Sequence, residues 1–167
     1  MAQRLLKGME SAWAKTRKHP IKDADIHWRV KSVNLPVHES IQNKNENELL
    51  KIINSDPEPR ERKTAARQLA YLRRRKAGCF FEISCLQLGN IRVLHLPGEM
   101  FVEYQLAAQQ MRPKKPVLTA AYGNCECGYV GTKKAYDEGG YETSEASRVA
   151  PESEEIILEA MRKLLAD

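Results

Sequence analysis

The N-terminal part of the chain has the pattern of an amphipathic helix followed by a strand. Over residues 3–18 apolar side chains recur every three or four positions, with Lys and Arg on the opposite side, which is typical of a surface helix. The apolar positions of this segment are Leu5, Leu6, Met9, Ala12 and Trp13. From residue 26 to residue 35 apolar and polar residues mostly alternate, with a slip near Lys31 and Ser32. We therefore predict a helix and then a half-buried strand.

A strongly basic helix is predicted over residues 60–76, after a short apolar helix face at 49–53 and a proline-containing break at 56–59. Its narrow apolar stripe comprises Ala65, Ala66, Leu69 and Leu72. Its cations are Arg60, Arg62, Lys63, Arg67, Arg73, Arg74, Arg75 and Lys76. A solvated helix face explains this pattern best, and a phosphate-binding stripe is the alternative. Because the segment has one aromatic residue and no signature of a nucleic-acid-binding fold, no nucleic-acid partner is expected.

The middle of the chain predicts a β-hairpin. Apolar and polar residues alternate on both sides of Gly89-Asn90, which is a two-residue turn signal. The paired strands are expected at residues 79–88 and 91–96. A helix from about Glu99 to Met111 follows, and its core side is expected to comprise Phe101, Val102, Leu106 and Ala107.

The C-terminal part predicts a further strand, a loop and a closing helix. Residues 116–121 form a short apolar run typical of a buried strand. Residues 122–150 are rich in glycine and tyrosine and lack apolar periodicity, which predicts a long loop of the kind that carries function. Residues 151–165 have the pattern of an amphipathic helix. The expected fold class is therefore α/β: a small mixed sheet with flanking helices and a glycine- and tyrosine-rich loop at one edge.

Length and composition set limits on the chain without indicating its partner. It has 167 residues, of which 42% are hydrophobic, and we expect a single domain over residues 1–167. The net charge of five positive is modest and does not by itself require a nucleic acid or a membrane. No run approaches the ~18–20 apolar residues of a membrane helix, and the first residues become charged too early for a signal peptide. A cytoplasmic location is the expectation for the chain as written, and an N-terminal truncation would leave it open.

The four cysteines do not have the spacing of a structural zinc site. They are Cys79, Cys85, Cys125 and Cys127, and they do not form two CxxC pairs. We expect two buried thiols in a strand and two loop thiols, all reduced.

Three residues have positions suited to chemistry. Glu99 follows Pro97-Gly98 at a strand end and a helix entrance, where side chains project into a cleft, although a helix N-terminal carboxylate is an equally good interpretation. Tyr129 and Tyr141 follow glycines that allow close backbone approach, although packed loop aromatics also occur in such places. Phenols donate hydrogen bonds to a developing oxyanion or, once deprotonated, serve as metal ligands.

Several motifs occur together in one order and resemble the neutral/alkaline ceramidase family, most closely its bacterial ceramidase-like members. The motifs are Leu96–Glu103, Tyr122-Gly123-Asn124, Gly128–Thr132, Ala135–Glu142 and Ser147–Glu152. The resemblance is dense over residues 93–165 and thinner over residues 1–90. The chain is therefore similar to the C-terminal portion of such a protein.

The resemblance implies a zinc-dependent amidase that cleaves the N-acyl bond of ceramide or a ceramide-like lipid. In that family two His, one Glu and one Tyr hold the metal, and a second Tyr assists the tetrahedral intermediate. Glu99 matches the glutamate ligand, Tyr129 matches the tyrosine ligand, and Tyr141 matches the tyrosine that stabilises the intermediate. Each residue type suits its role, because zinc sites use carboxylate oxygens and a phenol can donate to an oxyanion.

The two histidine ligands implied by the resemblance have no counterpart here. The four histidines, none of which lies in a similar segment, are His19, His27, His38 and His95. His95 is close in sequence to Glu99, yet a packed or surface strand histidine is the better interpretation because it alternates with leucines. We therefore expect an incomplete zinc site that is inactive alone. The alternative is a non-catalytic interaction module, and either version predicts a homo-oligomer or a missing N-terminal half.

Overall fold

A computed structural model of the chain describes residues 2–123, 127–144 and 146–166. Its centre is a four-stranded mixed sheet in the order β1-β2-β3-β5. The strands are β1 (Ile26–Val33), β2 (Phe81–Leu88), β3 (Ile91–Pro97), β4 (Glu99–Met100), β5 (Val117–Gly123) and β6 (Tyr129–Val130). β1, β2 and β3 are antiparallel neighbours, β5 runs parallel to β3, and β4 and β6 form a separate two-stranded parallel sheet.

The described residues contain seven α-helices. They are α1 (Ala2–Lys15), α2 (Glu39–Gln42), α3 (Glu46–Asn54), α4 (Pro59–Lys76), α5 (Val102–Met111), α6 (Lys133–Glu138) and α7 (Ser153–Leu165). The predicted α/β class with a small mixed sheet and flanking helices is confirmed. None of these helices is long and apolar enough to cross a membrane.

The predicted hairpin is present, with Leu88 opposite Ile91 across a turn that contains Gly89 at a positive φ. β2 begins at Phe81 rather than at Cys79, which was expected to be a buried strand residue and is half-buried instead. The reason is the end of α4: the Cys79 backbone N–H donates to the Arg74 carbonyl oxygen, so Cys79 belongs to the helix-ending turn. Cys85 and Cys127 are buried, and Cys125 lies outside the described residues.

The slip in β1 moves its apolar side chains from one face of the sheet to the other. Val33 at the end of the strand and Leu35 just beyond it are buried, whereas Ile26, Trp28 and Val30 point to the opposite face and remain exposed. Ile91 and Leu118 are also exposed, and the register places them on the face of Trp28. We call these five side chains the open sheet face. The prediction that residues 116–121 form a buried strand was wrong in this respect, because β5 is an edge strand.

Helices α5 and α7 pack on the other face of the sheet. The buried residues of α7 are Ser153, Ile157, Ala160, Met161, Leu164 and Leu165. α5 begins at Val102, three residues later than predicted, because Glu99 and Met100 are taken up by β4. A different side of α5 therefore faces the core. Tyr104 and Ala108 are buried. Val102 and Leu106, which were predicted to face the core, are exposed.

Helices α2, α3 and α4 form a second packed layer of the core. Their buried residues are Ile41, Leu49, Ala65, Leu69, Tyr71 and Leu72. Ala66, predicted in the apolar stripe, is exposed. Several α4 cations contact partners within the chain: Arg73 and Lys76 form ion pairs with Glu46, and the guanidinium of Arg75 lies over the Phe81 ring.

The N-terminal helix is formed as predicted, and none of its residues is buried by the part of the chain that the structure describes. All of α1 is exposed, including the apolar stripe that its periodicity defines. The predicted loop over 122–150 contains β6 and α6, and residues 124–126 and 145 lie outside the described residues.

Candidate functional site

The carboxyl ends of the two parallel strands bring the candidate site together. β3 and β5 end side by side, with Pro97 opposite Gly123. The Gly98 N–H donates to the Gly123 carbonyl at 3.0 Å, and the Tyr122 N–H donates to the Gly98 carbonyl at 2.7 Å. Crevices outside the carboxyl ends of parallel strands are where α/β sheets bind ligands. Glu99 and Tyr122 both lie at this edge.

The short β4–β6 sheet places Tyr129 beside Glu99. These two residues are register partners in the parallel pair. The Glu99 N–H donates to the Gly128 carbonyl at 2.8 Å, and the Phe101 N–H donates to the Val130 carbonyl at 3.1 Å. Two residues that the chain separates by thirty positions are therefore neighbours through backbone pairing.

The Glu99 carboxylate lies between two phenols. Tyr129 donates a hydrogen bond to it, and the Tyr122 hydroxyl donates to Oε1 at 3.4 Å. This hydrogen bond, followed by burial and by the negative charges of Glu99 and Glu142, raises the pKa of Tyr129 to about 12. The Tyr129 phenol is therefore protonated at neutral pH and acts as a donor.

Tyr141 completes the cluster. Its ring meets the Tyr129 ring edge-on, with centroids 6.3 Å apart and planes at 71°. Tyr141 is 60% exposed, so this residue of the cluster is open to solvent. The structure thus brings Glu99, Tyr129 and Tyr141, all three predicted site residues, into one cluster; their chemical roles stay predictions.

Gly98 allows the close approach on which the cluster depends. It has φ +79°, and a Cβ there would lie 2.5 Å from Cys127 Sγ and 2.6 Å from the Gly128 carbonyl oxygen. No L side chain fits this space without a shift of the backbone that carries Glu99.

Tyr122 was missed as a site residue by sequence reasoning. It has φ +66°, a left-handed conformation that is uncommon for a bulky side chain. Tyr122 reaches the cluster because β5 runs parallel to β3. The sequence does not reveal this pairing and therefore gives no signal for Tyr122.

Two phenols, the buried Tyr104 and the half-buried Tyr136, hold the surrounding backbone in place. Tyr104 donates to the Gly131 carbonyl at 2.9 Å, just after β6. Tyr136 of α6 is within hydrogen-bond distance of both the Ser147 hydroxyl and the Val149 carbonyl, each at 2.8 Å. Burial raises the pKa of both phenols, so they remain donors. The sequence predicts Tyr136 in the loop, whereas in the structure it belongs to α6 and anchors the segment that follows Tyr141.

His95 lies in β3, four residues before Glu99, and packs against Trp28 at a centroid distance of 5.2 Å. The strand register places it on the open sheet face. This agrees with the prediction of a packed strand histidine.

The comparison with solved structures bears on the fold. A neutral ceramidase from Pseudomonas aeruginosa superposes with a TM-score of 0.50 and 15% sequence identity, over 84% of this chain and 28% of that chain. The chain has the fold of part of a neutral ceramidase. A second structure, a ceramidase complexed with C2, matches with a TM-score of 0.45 and 19% identity, over 52% of this chain and 14% of that chain. No protein-family model and no curated protein matches the chain.

The resemblance to neutral ceramidases that the motifs predict is thus confirmed for the fold. The chain spans about a quarter of the length of the Pseudomonas aeruginosa neutral ceramidase that it matches. An activity of this chain like that of the whole ceramidase is therefore a proposal.

Glu99 and Tyr129 are the described side chains of the cluster that match the metal ligands implied by the resemblance. Catalytic zinc normally has three protein ligands, and Glu99 and Tyr129 supply two oxygens, one of which still carries its proton. Within residues 2–123, 127–144 and 146–166, no group of three or more His, Cys, Asp and Glu side chains is arranged to hold a metal.

The hydrogen bond between Tyr129 and Glu99 is testable by titration. Because the carboxylate is the largest cause of the raised pKa, Glu99→Gln is expected to lower the pKa of Tyr129 from about 12 toward the ordinary value of 10. NMR of the 13C-labelled tyrosine rings measures this directly. In the wild type, the contribution of this pair to stability is present below pH 10 and lost as the pH rises through about 12.

Glu142→Gln is the matched control for this titration. Glu142 acts on Tyr129 only through its charge, so a smaller decrease in the pKa is expected. Equal decreases in the two variants would show that Glu99 does not accept the Tyr129 hydrogen bond.

Proposed function

We propose that this chain is the C-terminal part of a ceramidase-like zinc-dependent amidohydrolase that acts on N-acyl amides such as ceramide-like lipids. The observation that carries the proposal is the cluster of Glu99, Tyr129 and Tyr141 at the carboxyl ends of two parallel strands, in a fold similar to part of a neutral ceramidase. All three side chains have the identity and order of the residues that the sequence resemblance implies.

In this proposal the three side chains divide the work of amide hydrolysis. Glu99 would hold the metal, and its carboxylate accepts the Tyr129 hydrogen bond. Tyr129 would supply a second oxygen ligand if its phenol were deprotonated. Tyr141, which is exposed beside them, donates a hydrogen bond to the oxyanion that forms when the amide carbonyl is attacked.

The same geometry supports an incomplete site. A protonated phenol and one carboxylate bind zinc weakly, and ligation by Tyr129 requires release of the proton that Glu99 helps to retain. The remaining ligands would come from residues outside this cluster. The chain alone is therefore proposed to be inactive.

Zinc titration of the full chain tests the proposal. We expect weak binding, seen as 1H–15N NMR shifts at Glu99 and Tyr129, which increases with pH because the phenol must deprotonate. Glu99→Ala and Tyr129→Phe are expected to abolish these shifts.

Glu103→Ala is the control for this titration, because Glu103 is an exposed carboxylate on the first turn of α5. It should leave the shifts unchanged. Tight stoichiometric zinc binding that Glu99→Ala abolishes would show that local histidines complete the ligand set, which would contradict the incomplete site. Unchanged shifts in Glu99→Ala would remove Glu99 from the metal site.

A non-catalytic interaction module is the second candidate, and the open sheet face favours it. Trp28, Val30 and Leu118 are exposed on the sheet face that α5 and α7 do not cover in the described part of the chain. Apolar side chains contiguous on a sheet face mark interaction surfaces. In this alternative a second copy of the chain pairs through this face, and the proposed cluster has no catalytic role.

A further inference from the structure

The helix α1 carries an apolar surface that nothing in the described structure covers. The exposed fractions of Leu5, Leu6, Met9 and Trp13 are 66%, 56%, 62% and 75%. With 100° per residue, these four side chains lie within an arc of about 100° on one side of the helix. Burial of these largely exposed apolar side chains in a non-aqueous environment would be favourable.

The opposite side of α1 is cationic. Arg4, Lys7 and Lys15 lie on it, and Arg17 and Lys18 follow directly. The Lys18 ammonium nitrogen is 5.6 Å from the centroid of the Trp13 ring. Glu10 is the only acidic residue among residues 1–22.

The N-terminal segment carries a net positive charge. Residues 1–22 contain six Lys and Arg and one Glu, a net charge of five positive, which equals the net charge of the whole chain. The remaining residues contain 21 cations and 21 anions and are therefore neutral. The other residues sum to zero because acidic residues elsewhere balance the basic helix α4.

We propose that α1 is an amphipathic arm that binds the surface of an anionic lipid membrane. Helices with Leu and Trp on one side and Lys and Arg on the other lie in the plane of the interface, with the apolar side in the acyl region and the cations among anionic headgroups. α1 has 14 residues, about 21 Å of helix, which is too short to span a bilayer. It therefore lies on the membrane rather than across it.

Charge complementarity favours a lipid surface over the open sheet face of a second copy as the occupant. The open sheet face offers apolar contact to the apolar side of α1 but leaves the opposite, cationic side facing solvent. An anionic bilayer contacts both sides of the helix, the apolar side through its acyl chains and the cationic side through its headgroups. The inference does not depend on the proposed hydrolysis, and it would hold for a chain without activity.

Vesicle co-sedimentation of the full chain tests the inference, with vesicles of phosphatidylcholine alone and of phosphatidylcholine mixed with phosphatidylserine. The wild type is expected to bind the mixed vesicles about tenfold more tightly than the neutral ones, and binding should weaken as salt is added. In a Trp28→Phe background, Trp13 is the single tryptophan, and its emission should shift to the blue on binding.

Two double variants measure the contributions of the cationic and the apolar side of α1 to binding separately. Lys7→Glu with Lys15→Glu and, separately, Leu6→Gln with Met9→Gln are each expected to weaken binding about tenfold. Because no residue of α1 is buried, neither variant threatens the fold. The matched control is Lys63→Glu with Arg67→Glu, which reverses two exposed cations on α4 and should leave binding unchanged.

Three results would overturn the inference. The first is equal binding to neutral and anionic vesicles, and the second is wild-type binding by the Lys7 and Lys15 variant. The third is a wild-type dimer by light scattering that becomes monomeric in the Leu6 and Met9 variant, because the apolar side of α1 would then belong to a second copy.

Discussion

Gly98→Ala is expected to lower the free energy of unfolding by about 3 kcal/mol, from the left-handed backbone and the clash together. The added Cβ would lie 2.5 Å from Cys127 Sγ and 2.6 Å from the Gly128 carbonyl oxygen, and one of these groups is backbone. The expected relief is a movement of β4 away from β6, which separates Glu99 from Tyr129. Urea unfolding gives the stability, and the pKa of Tyr129 reports the separation.

Gly139→Ala isolates the conformational part of this effect. Gly139 has φ +77°, close to that of Gly98, but nothing lies within 4 Å of a Cβ built there. The expected cost is about 1 kcal/mol, the penalty of the left-handed backbone alone. If the two variants lost the same stability, the close packing around Gly98 would be refuted.

Tyr104→Ala is expected to cost about 4 kcal/mol, because it removes a large side chain from the core beneath β6. Tyr104 is 1% exposed, and its hydroxyl donates to the Gly131 carbonyl. Tyr104→Phe keeps the packing and removes only the hydrogen bond, so about 1 kcal/mol is expected. Urea unfolding of both variants separates packing from hydrogen bonding.

Leu106→Ala tests the orientation of α5. The sequence predicts Leu106 in the core, whereas the structure leaves it half exposed on the side away from Tyr104. A cost below about 1 kcal/mol is expected for such a surface position. A loss equal to that of Tyr104→Ala would mean that α5 faces the core as its periodicity suggested.

The sequence predicts the elements whose signals are local. The hairpin around Gly89-Asn90 and the slip in β1 were both visible as patterns, because turn chemistry and alternation act between near neighbours. The inward side of α5 was predicted incorrectly, since two residues assigned to the helix form β4 instead. A strand of two residues has no periodicity to detect.

The motifs predict Glu99, Tyr129 and Tyr141 as site residues, but they do not predict that the three side chains lie together. Their proximity depends on the parallel pairing of β4 with β6 and of β3 with β5, and such pairing joins residues that are distant in the chain. Tyr122 was missed for the same reason. The open sheet face was also invisible, because alternation shows that a strand has two sides but not which side is covered.

The connection between β1 and β2 affects how the chain folds. The 47 residues from 34 to 80, including α2, α3 and α4, separate these antiparallel neighbours, whereas β2 and β3 are joined by a two-residue turn and β3 reaches β5 through α5. Closing the long connection costs more entropy than closing the short ones. We expect β2, β3, α5 and β5 to assemble early and β1 to join later as the outer strand. The strands whose ends carry Glu99 and Tyr122 then belong to the early nucleus, whereas Trp28 reaches its place only when folding is nearly finished.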